Sequence, residues 1–274
     1  MPIRIDGNEV SGVTLDNQDV SEVTVDGDVV FSAGTAGVPD LSQFTQQRTV
    51  TISNVSNLRG VDMKADGSRI YICARTAEEI IQFDLNFNFD ISTLTNRQTF
   101  SNSNIEHGVA VSDSGNTMIT ANDNTMYQFH LTTPYDVTSA TNQQQISISS
   151  FSNIFGLSFA DGGDKLALTD ADDAIEIFDL GTNEDVTTLG NVKTSGSIRS
   201  ITRGLQLVDS GTRCIVIGDD GGGIDQFNLS SAFDASTASF DTNINANTND
   251  PNGIAVVGNH MYEVGAQELV EYVA

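Results

Sequence analysis

Five glycines, Gly60, Gly108, Gly156, Gly204 and Gly253, recur at intervals of 48, 48, 48 and 49 residues. Each opens a short run with apolar side chains on alternate positions, as in Gly60-Val61-Asp62-Met63 and Gly156-Leu157-Ser158-Phe159, the period of a strand. A turn follows, written Asp66-Gly67, Asp113-Ser114-Gly115, Asp161-Gly162-Gly163 and Asp209-Ser210-Gly211, and shortened to Gly258-Asn259 in the last repeat. A second strand comes next (Ile70-Tyr71-Ile72-Cys73 in the first repeat). The third has an aromatic signature: Gln82-Phe83-Asp84-Leu85, Gln128-Phe129-His130-Leu131, Ile177-Phe178-Asp179-Leu180 and Gln226-Phe227-Asn228-Leu229. An Asp followed two residues later by Ser or Thr (Asp90/Ser92, Asp136/Thr138, Asp185/Thr187, Asp234/Ser236) marks the turn into a fourth strand, since Asp and Ser side chains bond nearby backbone in such turns. Four strands in about 48 residues form one blade of a β-propeller.

The fifth repeat stops at Leu269-Val270-Glu271-Tyr272-Val273, its third strand. Its missing parts stand at the front, where Asp40-Leu41-Ser42 matches the turn and Arg48-Thr49-Val50-Thr51-Ile52 the fourth strand. The expected fold is therefore all-β: a five-bladed β-propeller over residues 40–274, closed by its own N-terminal strand so that no sheet edge is left open at the seam. A β-solenoid has shorter rungs, and a β-sandwich would not repeat its sequence. A chain of 274 residues buries enough surface to fold without disulfides. Cys73 and Cys214 fall in different repeats and read as buried free thiols.

The formal net charge is -25, with only three lysines, Lys64, Lys165 and Lys193. Such self-repulsion is relieved in concentrated salt, where the screening length is ~3 Å at 1 M. The acidity points to a halophilic source or to an unusually acidic surface, and it makes nucleic acid and anionic membranes poor partners. The opening Met1-Pro2-Ile3-Arg4 has no apolar signal region, and no stretch reaches the ~18 apolar residues of a membrane span, so neither signal-led export nor membrane insertion is expected.

Residues 1–32 follow a shorter period: Glu9-Val10-Ser11-Gly12-Val13-Thr14-Leu15 is echoed by Asp19-Val20-Ser21-Glu22-Val23-Thr24-Val25. This reads as a small β-meander, too short to bury a core alone, that docks on another copy, on another protein or on the propeller itself. The small residues of segment 33–39 read as a linker.

Three stretches carry a family likeness: Asp66-Gly67-Ser68-Arg69-Ile70-Tyr71, Asn124-Thr125-Met126-Tyr127-Gln128-Phe129-His130-Leu131 and Ala232-Phe233-Asp234-Ala235-Ser236-Thr237. Over residues 40–274 the repeat resembles a family found in virion proteins of tailed viruses and in related secreted microbial proteins. The front module is similar to short Asp-Gly-x-x-Val-x-x-Val-x-Val-Asp-Gly modules that begin tailed-virus structural proteins. With the acidity, the resemblance implies a haloarchaeal virus. It implies a structural protein of capsid or tail, assembled in the host cytoplasm and located in the extracellular particle. Residues 1–32 would anchor it to other virion proteins, as a homo-oligomer. The propeller would serve attachment to a host surface glycan or surface-layer protein.

No His-Glu-x-x-His helix, phosphate-cradling loop, nucleophile elbow or Cys ligand cluster is present, so the chain is expected to be no enzyme and to need no cofactor. A propeller hydrolase or lactonase would need a metal-carboxylate cluster at the channel; a lectin-like or scaffold module of cellular origin is the nearer rival. Asp170-Ala171-Asp172-Asp173 and Asp219-Asp220-Gly221-Gly222-Gly223 invite a calcium reading, but the first lacks the loop Gly and bidentate Glu of an EF-hand, and no metal is assigned. His130 and His260 read as structural.

Binding loops of a propeller gather where the d-to-a and b-to-c connections emerge around the channel. The residues preceding the five glycines, Arg59, His107, Phe155, Arg203 and Asn252, should ring that mouth, with Arg75 and Arg199 beside them. The arginine fork suits carboxylate or sulfate groups; the alternative is that these arginines only offset neighbouring aspartates.

Overall fold

The computed structural model describes residues 37–149, 151–170, 174–198, 202–218, 223–248 and 250–274, together with the backbone of six short strands before them. The chain divides into two compact units, Met1–Gly37 and Val38–Ala274. In the first, Ile3–Ile5 pairs with Asn8–Val10, Thr14–Leu15 with Gln18–Asp19, and Glu22–Val25 with Asp28–Ser32. Among the described residues these are three two-stranded antiparallel pairings.

The second unit is a five-bladed β-propeller of antiparallel four-stranded sheets. From the axis outward, blade 1 is Leu58–Met63, Arg69–Ala74, Glu79–Leu85 and Leu94–Ser101. Blade 2 is His107–Val111, Thr117–Asn122, Thr125–Leu131 and Ala140–Ser147; blade 3 is Ile154–Ala160, Lys165–Asp170, Ile175–Leu180 and Leu189–Thr194. Blade 4 is Thr202–Val208, Arg213–Gly218, Gly223–Leu229 and Ala238–Asn245. Blade 5 takes Pro251–Val257, His260–Gly265 and Glu268–Val273 from the C-terminus and Thr45–Thr51 from the front of the chain. Each innermost strand lies beside those of both neighbouring blades, which closes the ring.

The closing strand starts three residues earlier than the sequence pattern indicates. A bulge opposite Glu271 and Tyr272 lets pairing continue from Arg48↔Glu271 to Thr45↔Val273. Ile52 lies just beyond the strand, buried, its amide donating to the Gln267 carbonyl at 2.8 Å. Cys73 and Cys214 are buried in blades 1 and 4, and burial pushes both thiols up, that of Cys73 to about 12.

The Asp-x-Ser/Thr turns are the joints between blades. Each Asp caps one 3-10 turn by accepting the amide and hydroxyl of the Ser or Thr two residues on. The residue between them, Leu41, Ile91, Val137, Val186 or Ala235, is buried. Its amide needs an acceptor from outside the turn, and in four joints the third strand of the preceding blade supplies one. Val137 donates to Gln82 Oε1 at 3.0 Å, Val186 to Gln128 Oε1 at 2.8 Å and Leu41 to Gln226 Oε1 at 3.0 Å. At the seam Ile91 faces Glu271 Oε2 at 3.5 Å, and Arg48 binds the same oxygen at 3.0 Å. Blade 3 has Ile177 at this position and packs it with Leu205 and Val216 instead.

Replacing Gln128 by Leu strands the Val186 amide in a buried joint. We expect a loss of about 1–3 kcal/mol in urea unfolding, against less than 0.5 kcal/mol for exposed Gln144→Leu; equal effects would show that the joint is not held by this bond.

Candidate functional site: the two mouths of the propeller channel

The five repeat glycines meet at the axis. A Cβ placed on Gly60 would lie 2.6 Å from the Gly108 Cα, one on Gly156 3.0 Å from the Gly204 Cα, and one on Gly204 2.9 Å from the Gly253 Cα. Gly253 would strike the Gly60 Cα at 2.8 Å, and Gly108 the Phe155 carbonyl oxygen at 2.7 Å. Five backbones thus touch through their missing side chains. They leave a space of about 10 Å3, at the limit of what one water molecule needs. The channel is shut at this level, and its two mouths are separate surfaces.

At the first mouth the structure brings Arg59, His107, Phe155, Arg203 and Asn252 together. Arg59 donates from Nη1 to Asn252 Oδ1 at 2.6 Å, and Asn252 donates onward to the Asp250 carbonyl at 2.5 Å. The Arg203 guanidinium lies 4.4 Å above the Phe155 ring centre, a cation–π contact that orients the fork. His107 meets the same ring edge-on at 4.7 Å. His107 is buried, and its pKa falls to about 3 because of that burial and, after it, the charges of Arg75, Arg59 and Arg203. It is a neutral imidazole at physiological pH, and among the described residues no hydrogen-bond partner meets its Nδ1.

Burial divides these residues by role. Asn252 is fully buried and Phe155 nearly so, so they do not offer themselves to a partner; they hold the partly buried Arg59 and Arg203 in place. Arg75 is half-exposed, ion-paired with Glu106, on a neighbouring recess of about 330 Å3. Arg199 lies outside the described residues, as do Asp172, Asp173, Asp219 and Asp220 of the two calcium candidates. Asp170 is buried in blade 3. Among the described residues no three His, Cys, Asp or Glu side chains cluster so as to hold a metal ion. His260 stacks on Phe89 at 4.8 Å and faces Glu271 at 3.3 Å in the seam, and His130 is exposed on blade 2.

The second mouth opens beyond the glycines as a cup of about 280 Å3. Its inward-facing positions, two residues after the glycines, include Asp62, Ala110, Ser158 and Gln206. Asp62 accepts the Met63 amide at 2.8 Å and, across the blade boundary, the Val111 amide at 2.7 Å. Desolvation nevertheless raises its pKa to about 7, with a smaller contribution from Asp113. Sequence reasoning passed over Asp62, although it is the one charged residue at this position in five repeats.

The sign of the pH effect follows. Below about pH 4 Asp62 is protonated in both folded and unfolded chains, and it costs nothing. Between pH 4 and 7 only the unfolded chain releases the proton, so the Asp62 contribution falls with rising pH. We expect Asp62→Asn to make the slope of stability against pH more positive in that window, by up to about 1.4 kcal/mol per pH unit; parallel stability curves for the two proteins would refute the raised pKa.

The fold and the paired mouths define a β-propeller of the kind that presents loops from a rigid ring. No family model matches the chain, and no curated protein matches it. Among solved structures it is similar to a chain of the nidogen/laminin complex, a β-propeller, with a TM-score of 0.52 and 12% identity over 76% of this chain and 72% of that one. That likeness concerns the fold.

Proposed function

We propose that the protein is a non-enzymatic binding module of a tailed-virus particle, in which residues 1–32 attach to other virion proteins and the propeller engages an anionic group on the host surface. One observation carries the binding half: two partly buried arginines, each held by a neighbour, line the same propeller mouth in a chain of net charge -25. Held forks bind a sulfate or carboxylate without first losing rotamer freedom. The sequence likeness of repeat and front module to virion proteins supports the rest. The chain enters the propeller at Val38, which lines the cup at the second mouth.

The test is binding of the full chain to dextran sulfate and to unsulfated dextran, in 1 M salt so that the overall negative charge is screened. Dextran sulfate should bind. Arg59→Ala and Arg203→Ala should each weaken binding about tenfold or more, the worth of a charged hydrogen bond, while Arg97→Ala on an outer strand should leave it unchanged. Equal binding by wild type and both mouth variants would overturn the reading. A lectin-like module of cellular origin uses the same arginines; it is distinguished by a front module that binds no virion component.

A further inference from the structure

The cup at the second mouth is independent of the arginine site and has the opposite chemistry. Asp62 and Asp113 both line it, and among the described residues no lysine or arginine does. Lys64 lies on the outer side of Asp62 and is engaged with Asp66 at 2.6 Å. The remaining lining is mixed: Ser158 and Gln206 are polar, and the buried Met63, Leu207, Val208 and Val256 supply apolar surface.

Asp62 is buried enough for burial to dominate its titration, and its two hydrogen bonds come from backbone amides rather than from a cation. A carboxylate in that state gains from a positive charge brought into the same low-dielectric space. The exposed Asp113 at the rim adds attraction for an approaching cation. The walls decide what kind of cation. A calcium or magnesium ion takes six or more oxygens, and the two carboxylates are not joined by a third His, Cys, Asp or Glu among the described residues. An organic cation needs one charged contact and apolar surroundings for its body.

We infer that the second mouth is a binding site for a small primary ammonium ligand with a short apolar body, its charged end on Asp62 and its body against Met63, Leu207 and Val256. The cup of about 280 Å3 is close to the lower size of small-molecule sites. Binding follows the ionised form of Asp62. The other titratable groups facing Asp62 are Asp113, Lys64, Tyr71 and Tyr135. Burial holds both tyrosines above their ordinary values, so neither changes charge near neutrality.

The experiment uses the full chain at pH 8 in 1 M sodium chloride, with n-pentylammonium as probe and n-pentanol and pentanoate as uncharged and anionic counterparts. Amide NMR shifts of Met63, Val111 and Ser158 are followed. Pentylammonium should shift these three saturably, with pentanol and pentanoate at least tenfold weaker. Asp62→Asn should lose tenfold or more, and lowering the pH from 8 to 6 should weaken the wild type severalfold but not Asp62→Asn. Should Asp62→Asn fail to fold, Ser158→Leu, which fills the cup, should abolish the shifts, and Asp113→Asn should weaken them two- to threefold. Pentanol binding as tightly as pentylammonium, shifts confined to residues outside the cup, or full affinity in the folded variants overturns the proposal.

Discussion

Removing residues 1–52 is expected to abolish cooperative folding of what remains, whereas removing residues 1–37 leaves the propeller intact. The longer deletion takes the closing strand Thr45–Thr51 and the buried side chains of Leu41, Phe44 and Ile52. Those three contribute roughly 1.5–3 kcal/mol each, against about 5–15 kcal/mol for a whole domain. It also bares the edge of Glu268–Val273, a template for pairing with other chains, and takes Arg48 from the buried Glu271 carboxylate, which is left with His260 and the Ile91 amide. Size-exclusion chromatography and thermal melting check this: residues 38–274 should run as a folded species with one sharp transition, and 53–274 as aggregate without one. A sharp transition of 53–274 at the same temperature would show that the seam is dispensable.

The second large effect is expected at the axis. Gly60→Ala puts a methyl group 2.6 to 2.8 Å from three backbone atoms of Gly108 and Val109. Backbone cannot turn aside as a side chain can, so the ring must widen, and every blade contact stretches with it. We expect a loss of about 3 kcal/mol or more, at or beyond the upper end for overpacking. Gly196→Ala, where a Cβ meets nothing, should stay within about 0.5 kcal/mol. Denaturant unfolding of the two variants decides; near-equal midpoints would mean that the axial contact is soft.

These glycines also show how far the fold could be read from the amino acids. Their spacing gave blade number and strand order, because a repeat signals architecture regardless of what each residue does. The physical reason for glycine was not visible: alternation assigned it to the start of a strand, and only the ring shows five backbones meeting. The third-strand glutamines were visible as a signature, yet their acceptor role depends on a turn of the next blade, about fifty residues away in Gln82 and Val137. Arg59, His107, Phe155, Arg203 and Asn252 were placed together by register alone. Their division into partly buried forks and fully buried supports required burial, which the repeat does not encode. Asp62 stood out from its four counterparts, but nothing in the sequence says that its position faces a cup.

The closing strand has a mechanical consequence. It runs between the two mouths, with Thr45 toward the side where the chain enters and Thr51 toward the arginines. A pull between residue 38 and the mouth at Arg59 and Arg203 is thus directed along the strand, and its hydrogen bonds to Glu268–Val273 share the load in shear rather than parting one after another. The capped turn at Asp40 and the Arg213 contacts to the Val38 and Pro39 carbonyls stand first in line. A closing strand fastened in this way yields late under tension, and a single-molecule pull from residue 38 should show one high-force event instead of a stepwise peel.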